Sequence, residues 1–535
     1  MDISKSRESV TTDRGQDSQL VNGLAEAPRG KSEHTEQYQF DVIVIGSGPG
    51  GYTSAIRCAQ LGKSVAIVER DLLGGHAVNW GCVPLNSMIA SARLIRSIHE
   101  CDRYGIRIPS YRIDFSYIAR HRDEAVKKVR SQVKHFLDKY HIQVYTGNAC
   151  IVNPHHVLVK PVQKRTYATI RDANGHSPYE TSDYTSVRAD VEITGNNIII
   201  AAGVEYELPQ FVEKNDRKSV DPTELLWRRT IPESLVIIGG GVLGCEIASL
   251  YSHLRSNVIL IDKNSRLLKC MDEQVSFAVE TCLKANGVNI TLNANVERVA
   301  NGEVIIQLHQ ANIQRTIRGA LVVVCVGRKP TFDYKYLEQL GIRIDHERST
   351  IITDEKTCET SIRTIYACGG IVSSCWSWVS CAVRQGHITA NAICCVSENT
   401  NNPKFHMATN PAAPFVINVI PAVASVGEIP KSTDNVLIYM YKFHTDRRAI
   451  IDSQTWGFVK MWTTSDEPKR FLAVQLAHEA AAEIIEYYSM IISLNLSIRD
   501  VCFLSFAHPT YTESVKEACE YVLGQSMNYD ENLRL

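Results

Sequence analysis

Two glycine-rich loops are the segments of this chain whose chemistry is easiest to infer. The first loop, GSGPGG at residues 46–51, has its pattern glycines at Gly46, Gly48 and Gly51. The first glycine permits a tight turn, the second lets the backbone approach a pyrophosphate, and the third packs a helix on a strand. Glu69 follows Gly46 by 23 positions, where its carboxylate would accept hydrogen bonds from a ribose. The loop predicts a dinucleotide site with its phosphates at a helix N-terminus.

The second loop, GGGVLG at residues 239–244, repeats this pattern. Its pattern glycines are Gly239, Gly241 and Gly244. Asp262 follows Gly239 by 23 positions, and a carboxylate there would repel a 2′-phosphate, which favours NAD over NADP. Lys263 and Arg266 lie close behind and keep NADP open as an alternative. A purely structural role for these residues in ending the strand is the remaining alternative.

The presence of two dinucleotide sites in one chain indicates the type of reaction more specifically than either site does alone. One nucleotide would stay bound while the other exchanges. The simplest chemistry for such a pair is hydride transfer from a nicotinamide to a flavin. The loops together therefore predict an oxidoreductase.

The elements around the loops follow a βαβ pattern. A strand at 41–46, a helix at 52–61 and a strand at 63–70 surround the first loop, and a second βαβ unit begins at Leu235. Helical periodicity covers 87–98 and 115–140, and short strands follow over 143–200 with a polar surface insertion at about 166–187. A last block from about Phe415 alternates strands with two long helices. Residues 1–38 are polar and mixed in charge, without a signal or transit pattern, and predict a disordered tail.

Composition argues against several other classes of protein. The 535 residues carry 57 Lys+Arg and 58 Asp+Glu, a formal net charge of −1, which lacks the basic excess of a general nucleic-acid binder. No run approaches the ~18 consecutive apolar residues of a membrane span. Sixteen scattered cysteines without CxxC pairs favour free thiols in a reducing compartment, and we expect a cytoplasmic protein.

Further segments extend the pattern along the chain. They are LLGGHAVNWGCVP at 72–84, IIIAAG at 198–203, VGRKPT at 326–331, TIYACGG at 364–370, AVASVGE at 422–428 and AHPTYTE at 507–513. In order and spacing these segments resemble the flavin-dependent pyridine nucleotide-disulfide oxidoreductases, specifically the dihydrolipoamide dehydrogenase branch, from about Gln39 to Leu523. The resemblance implies an α/β fold with two doubly wound nucleotide-binding domains, for FAD and NAD, and a C-terminal α+β dimerisation domain.

The resemblance also implies domain limits and further cofactor contacts. We expect the first part of the FAD domain at 39–215, the NAD domain at 216–335, a central segment completing the FAD domain at 336–405 and the dimerisation domain at 406–535. Gly203, Gly327 and Gly369 are expected to help bind the cofactors. A homodimer is implied, because the active site of this family takes a histidine from the partner subunit.

The redox motif of the family is altered in this chain. Cys82 falls on the second cysteine of the CxxxxC motif, the one that lies against the flavin, and we expect it to be a thiolate. The first position, which exchanges with the substrate disulfide, is Ala77, so the usual dithiol relay is broken. Three further departures are Asn86 for the lysine that closes the motif, Ala202 within the family's ATG motif, and Gly370 for the aspartate that holds the ribityl chain. Spacing gives no support to a replacement partner at Cys58, Cys368, Cys375 or Cys381.

Other candidate residues have a functional and a structural interpretation. His508 and Glu513 match the family's general base and the glutamate that orients it, although an interface histidine that only packs is the alternative. Glu246 matches a glutamate expected near the nicotinamide, or is an early-helix acid favoured by the helix dipole. No metal set is visible, because the adjacent His155 and His156 cannot easily face one ion. The Trp376–Trp378 stretch predicts packing near the flavin domain.

The sequence therefore predicts an FAD-dependent enzyme that oxidises NADH and passes electrons to an acceptor other than a disulfide relayed at position 77. That acceptor is a small molecule whose identity the sequence leaves open. Two alternatives remain: a soluble transhydrogenase, which Asp262 disfavours because that reaction also needs NADP, and a catalytically silent paralogue that serves as a binding or assembly subunit.

Overall fold

The first glycine loop follows a central strand of a seven-stranded sheet. The computed structural model describes residues 37–162, 169–171, 175–177, 184, 186–309, 313–372, 378–394, 413–432 and 434–530. The strands of the first sheet are β1 (Phe40–Ile45), β2 (Val65–Glu69), β3 (Gln143–Thr146), β4 (Asn148–Asn153), β5 (His156–Lys160), β6 (Val191–Ile200) and β19 (Ile365–Ala367). Strand β1 lies between β2 and β6 and is parallel to both, while β4 and β5 extend the sheet in antiparallel fashion.

Both faces of β1 and β2 are buried, which explains their continuous apolar sequences. The helices that accompany this sheet are α1 (Pro49–Gln60), α2 (Gly75–Asn79), α3 (Cys82–Glu100), α4 (Phe115–Lys139) and α9 (Val379–Ile393). Val42 and Val44 face a core shared with α1, α4 and α9. Ile43 and Ile45 face the opposite core. Because alternate side chains of β1 pack into cores on opposite faces of the sheet, the loop after β1 is held between two packed layers.

The second glycine loop follows the central strand of a five-stranded parallel sheet. Its strands are β8 (Ser219–Val220), β9 (Ser234–Ile238), β10 (Asn257–Ile261), β11 (Asn289–Thr291) and β15 (Leu321–Val324), with helices α5 (Pro222–Leu226), α6 (Val242–His253) and α7 (Glu273–Ala285). One face of this sheet packs on the antiparallel strands β12 (Ala294–Ala300), β13 (Glu303–Leu308) and β14 (Ile313–Arg318). The other face packs in one core with α6 and α7, and α3 contributes to the same core.

Small elements link these sheets, and an antiparallel sheet ends the chain. The linking elements are the pairs β7 (Val204–Tyr206) with β16 (Arg328–Pro330) and β17 (Ile344–Asp345) with β18 (Thr350–Ile351), and helix α8 (Tyr334–Gln339). The last sheet contains β20 (Phe415–Ile417), β21 (Val423–Gly427), β22 (Val436–Lys442), β23 (Phe458–Thr464) and β24 (Phe471–Ala477). Its helices are α10 (Arg447–Ile451), α11 (Ala481–Ser493), α12 (Ile498–Cys502) and α13 (Glu513–Val522). Helices α11 and α13 pack on this sheet in a core of their own.

The predicted fold class is confirmed: two parallel sheets bear the glycine loops and an α+β unit follows. Strand β19, within the segment 336–405, pairs with β6 and so adds that segment to the first sheet. The expected tail lies outside the described residues except for Gln37 and Tyr38, and Tyr38 stacks on His155 with ring centroids 4.7 Å apart. Most of the expected surface insertion at 166–187, and Trp376, also lie outside the described residues.

The contact between α1 and α9 yields a prediction about stability. A Cβ on Gly386 would lie 2.7 Å from the carbonyl oxygen of Gly50, a backbone atom that can move only if the helices separate. We expect Gly386→Ala to lower the free energy of unfolding by about 1–3 kcal/mol, measured by urea denaturation. His387→Ala, at the exposed neighbouring position of α9, is the control and should change it by less than about 0.5 kcal/mol. Equal losses in both variants would contradict close packing at Gly386.

Candidate functional site

Both glycine loops open into one cavity of about 1400 Å³. Gly46 and Gly48 of the first loop and Gly241 of the second line it, together with Cys82 and Glu246. The loops belong to different sheets and lie far apart in sequence. The cavity is therefore the place where two bound nucleotides could meet.

The first loop has the backbone geometry that a phosphate site needs. Gly46 has φ +97°, and a Cβ on Gly51 would lie 1.9 Å from the carbonyl oxygen of Gly46, so neither position accepts a side chain. A Cβ on Gly48 would meet nothing within 4 Å, which leaves the backbone before α1 open to a ligand. Gly48 caps α1 without a side-chain hydrogen bond, so the first N–H groups of the helix remain available for an anion. The loop fits a dinucleotide pyrophosphate.

Glu69 holds the first loop in place as well as facing the cavity. Its Oε2 accepts hydrogen bonds from the backbone N–H of Ser47 at 2.8 Å and from the Ser47 hydroxyl at 2.7 Å. Its Oε1 accepts a third from the N–H of Asp71 at 2.8 Å. A carboxylate offers about four acceptor positions, so capacity for a ribose hydroxyl remains. The expected ribose contact stays a prediction.

The second loop has the same construction. Gly239 has φ +109°, a Cβ on Gly244 would lie 1.8 Å from the carbonyl oxygen of Gly239, and Gly241 is open. Asp262 accepts a short hydrogen bond from the N–H of Gly240. It also accepts two from Asn264, at 2.7 and 2.8 Å. Its carboxylate lies against this loop, but Asp262 is not among the residues that line the cavity, and the expected ribose contact stays a prediction.

The two basic residues behind Asp262 differ in their availability. The Arg266 guanidinium donates to the Met271 carbonyl and to the Ser276 hydroxyl, each at 2.7 Å, and so serves the start of α7. Lys263 is exposed. Of the two cations that keep NADP open, one is therefore occupied within the fold.

Cys82 lies at the first residue of α3, with its side chain accessible from the cavity. Burial by the surrounding protein and the Glu246 carboxylate raise the pKa of the thiol to about 11, against the smaller opposing effect of Arg328. The groups of this chain thus favour the protonated thiol, and the thiolate expected beside a flavin stays a prediction.

Ala77 and Asn86 line the cavity near Cys82, but neither supplies a second thiol or a cation. The amide of Asn86 donates to the Cys82 carbonyl at 2.9 Å. Of the cysteines considered as replacement partners, Cys368 is buried on the cavity wall, Cys58 is buried away from it, and Cys375 lies outside the described residues. Asn79, fully buried, donates to the carbonyls of Leu73 and Gly75 at 2.8 and 3.0 Å and so fixes the turn before Ala77.

Sequence reasoning missed a polar cluster on the cavity wall. His76 packs edge-to-face on Tyr206 with centroids 5.3 Å apart, and the Arg328 guanidinium lies 5.5 Å from the centre of the same ring. Burial, helped by the charge of Arg328, lowers the pKa of His76 to about 4, so its imidazole is neutral at pH 7. Tyr206 and Arg328 are paired on β7 and β16, a contact between residues 122 positions apart. The proximity of His76 to Ala77 in sequence was the only available signal.

Glu246 is the buried acid of the site. Its Oε1 accepts a hydrogen bond from the backbone N–H of Asn418 at 2.7 Å. Burial raises the pKa of Glu246 to about 7, although the hydrogen bonds from Asn418 and the charge of Arg93 oppose this. The carboxyl can therefore change protonation near neutral pH, which an exposed early-helix acid would not do.

His508 and Glu513 form the expected pair but lie away from the cavity of this chain. His508 Nδ1 lies 3.0 and 3.1 Å from the two carboxylate oxygens of Glu513, and the N–H of Thr510 donates to the same carboxylate at 3.0 Å. Burial raises the pKa of Glu513, but the hydrogen bonds from Thr510 and His508 outweigh it and lower the pKa below its usual value. The imidazole is 57% exposed, so it is free to face another molecule.

The remaining predicted residues lie either on the cavity wall or outside the cavity. Gly203, Gly327 and Gly369 line the cavity with positive φ. Gly370 also lines it, without a side chain to offer a ligand. Trp378 stacks on Phe415 at 4.3 Å on the cavity wall. His155 and His156 bind different partners, the Gly195 carbonyl and Glu192. Within the part of the chain that the structure describes, no cluster of three His, Cys, Asp or Glu side chains is arranged to hold a metal ion, and no helix could span a membrane.

Comparison with known proteins adds to this geometry. Residues 40–386 match the model of the pyridine nucleotide-disulphide oxidoreductase family, and residues 413–519 match the model of its dimerisation domain. The chain belongs to this family. The expected resemblance is confirmed, and this pyridine nucleotide-disulphide oxidoreductase shares its family with flavoprotein enzymes that bind FAD and NAD(P).

Its relatives include enzymes of the predicted branch. This oxidoreductase is 30% identical over 493 residues to dihydrolipoyl dehydrogenase of Geobacillus stearothermophilus, covering 91% of this chain and 97% of the relative. It is 29% identical over 510 residues to that of Trypanosoma brucei brucei, covering 92% and 98%. The same fold occurs in LpdA from Mycobacterium tuberculosis (TM-score 0.74, 20% identity, 90% and 99% covered) and in the HOCl-induced flavoprotein disulfide reductase RclA from Escherichia coli (0.72, 22%, 90% and 100%).

The position of Glu246 yields a prediction about the Cys82 thiol. Above pH 7 this carboxyl is ionised and repels a thiolate, so Glu246→Gln should lower the thiol pKa and speed alkylation of Cys82. We expect the rate with iodoacetamide at pH 9 to rise about 3- to 10-fold, equivalent to half to one pKa unit, measured by mass spectrometry of the Cys82 peptide. Glu486→Gln, on the same cavity wall, is the control. An unchanged rate in Glu246→Gln would show that the two groups do not interact.

Proposed function

We propose that this chain is an FAD-dependent NADH oxidoreductase whose electron acceptor is not a disulfide relayed through position 77. The observation that carries the proposal is the single cavity shared by both glycine loops, with Cys82 and Glu246 on its wall. When bound, the flavin accepts a hydride from the nicotinamide and passes two electrons on to another acceptor.

The first loop and its neighbours are suited to holding FAD. The open backbone at Gly48 and the uncapped start of α1 would bind the pyrophosphate, and Glu69 would bind the adenosine ribose. A Cβ on Gly75 would lie 2.7 Å from the Cα of Gly48, so the segment with Ala77 and Cys82 starts in contact with the phosphate loop. This contact supports the placement of the flavin ring near Cys82, even though Gly370 offers no carboxylate to the ribityl chain.

The second loop is suited to holding NAD. Gly241 and the start of α6 would bind the pyrophosphate, and Asp262 would accept hydrogen bonds from the ribose hydroxyls. Asp262 would also repel a 2′-phosphate, while Arg266 is engaged with α7. These features support NAD over NADP, and so they disfavour the transhydrogenase alternative.

At the reacting end of the cavity, side chains of this chain would supply or accept protons, and no disulfide would take part in the reaction. Ala77 cannot form a disulfide with Cys82, so exchange with a disulfide substrate at that pair does not occur. Glu246 can hold or release a proton near pH 7. The proposed acceptor is a small molecule that takes electrons directly, such as a quinone or oxygen.

We further propose a homodimer located in the cytoplasm. The dimerisation domain and the exposed His508 support the dimer, in which the imidazole of one subunit, oriented by Glu513, would complete the cavity of the other. The scattered free cysteines support a reducing compartment.

An anaerobic titration with NADH tests the proposed function. We expect the purified protein to show a flavin absorbance band that decreases on addition of NADH. A quinone should then restore the band, whereas oxidised lipoamide should restore it at least about 100-fold more slowly, because the relay thiol is missing. A colourless protein, or a flavin band that NADH leaves unchanged, would contradict the proposal and favour the silent assembly subunit.

Ala77→Cys is the matched variant for this titration. Gain of lipoamide reduction in this variant would show that position 77 alone blocks the relay. Equal lipoamide reduction by the unmodified chain would overturn the proposed class of acceptor.

Nucleotide choice gives a second prediction. We expect kcat/KM for NADH to exceed that for NADPH by at least about 10-fold, equivalent to about 1.4 kcal/mol. Asp262→Ser should shrink the ratio by removing the negative charge, while Lys269→Ala, exposed on the same domain, should leave it unchanged. Steady-state kinetics with both nucleotides measures the ratio, and equal use of both by the unmodified chain would refute the preference.

A further inference from the structure

Helices α1 and α9 run side by side in the same direction. Gly386 of α9 lies against Gly50 of α1, and five residues further along α9 the side chain of Asn391 accepts a hydrogen bond from Arg57 at 3.4 Å. Contacts therefore advance along both helices together. Eight residues beyond the glycine contact on each helix lie residue 58 of α1 and residue 394, the C-cap of α9.

Both of these positions are cysteines, and their side chains pack in the same apolar cluster. Cys58 and Cys394 are hydrogen-bonded to each other and belong to one apolar cluster with Ala55 and Ala390. The small side chains of Ala55 and Ala390 and the glycine contact hold the two helices close together, and a disulfide between them needs Cα atoms about 4.4–6.8 Å apart. Cys58 is fully buried, whereas Cys394 is partly exposed.

The two thiols have unequal acidity. The hydrogen bond from Cys58 lowers the pKa of Cys394, helped by the positive charges of Lys63 and Arg57, although burial and Asp41 act against it. The same hydrogen bond, together with burial, raises the pKa of Cys58. The accessible sulfur is thus the better nucleophile, and a protonated thiol lies directly behind it.

We propose that Cys58 and Cys394 are a peroxide-sensitive thiol pair that closes to an intrachain disulfide between the C-terminal ends of α1 and α9. The Cys394 thiolate attacks one oxygen of the peroxide, forming an S–O bond as the O–O bond breaks and hydroxide leaves to become water. Cys58 then loses its proton and attacks the sulfenic sulfur, forming the S–S bond as the S–O bond breaks and a second water leaves. The two cysteines lose two electrons in total, and hydrogen peroxide is reduced to two water molecules.

The pair lies away from the redox chemistry proposed for the cavity. Neither cysteine lines the cavity, and the cross-link would join the helix that follows the first glycine loop to the helix whose Gln385 side chain accepts from the N–H of Gly369 at 2.8 Å. The disulfide would therefore fix the two helices that border the FAD loop. This modification does not depend on the identity of the electron acceptor.

Peptide mapping after peroxide treatment tests the proposal. Trypsin cleavage releases Cys58 in residues 58–63 and Cys394 in residues 385–404, a peptide that also contains Cys395. The experiment therefore uses Cys395→Ser as the parent chain, treated with hydrogen peroxide and alkylated under denaturing conditions. We expect the two peptides to be joined, and the joined species to disappear in Cys394→Ser or on reduction, but to persist in Cys282→Ser, which changes a cysteine on α7.

Alkylation rates provide a second measurement that does not need the disulfide. Cys58→Ala removes the hydrogen bond, so Cys394 should react with iodoacetamide more slowly at pH 7, by about tenfold for each pKa unit regained. Absence of the joined peptide while other cysteines are oxidised, or an unchanged Cys394 rate in Cys58→Ala, would overturn the proposal.

Discussion

The site depends on two points where a glycine lies directly against backbone. At Gly51 and at Gly244 a Cβ would lie less than 2 Å from the carbonyl oxygen of the glycine that ends the preceding strand. Any side chain there would separate the helix from its strand and withdraw the helix N-terminus from the cavity. Because the same constraint acts twice, once in each sheet, both helix N-termini face one space.

Some charged groups around this space are engaged in hydrogen bonds that stabilise the turns, whereas others are left to take part in proton transfer. Glu69 and Asp262 each accept three hydrogen bonds, two from the first loop and one from Asp71 at Glu69, and one from the second loop and two from Asn264 at Asp262, so much of their binding capacity stabilises the turns. Glu246 has a single hydrogen bond from backbone and a pKa raised by burial to about 7. Position 77 lacks the second thiol of the motif, and this carboxyl on the cavity wall is a group of the chain that can exchange protons near pH 7.

Local patterns in the sequence were sufficient for the strands, the loops and the family, while contacts between distant residues were not. The strand at Asp41–Gly46 and the helix at Phe115–Tyr140 were predicted almost to their observed ends, because their apolar periodicity reflects faces that are buried. Helix α3 begins at Cys82, five residues before the predicted start, because Pro84 and Asn86 in its first turns interrupt the pattern from which the helix was predicted.

The features of the site that the sequence did not predict also depend on contacts between residues that are distant in sequence. The expected Cys82 thiolate stays a prediction, and the burial and the Glu246 carboxylate that raise the pKa of this thiol come from contacts between elements. The pairing of Tyr206 with Arg328, and that of Cys58 with Cys394, depend on strand and helix contacts that no local pattern reveals.

Titration of the oxidised protein with NAD, followed by flavin fluorescence, tests the shared cavity most directly. A nucleotide bound at the second loop of the same cavity should quench or shift the flavin emission in a saturable way. Gly241→Val should keep its flavin and lose this response, because a side chain would block the open backbone of that loop. An equal response in both proteins, or none in the unmodified protein despite bound flavin and bound NAD, would contradict the account.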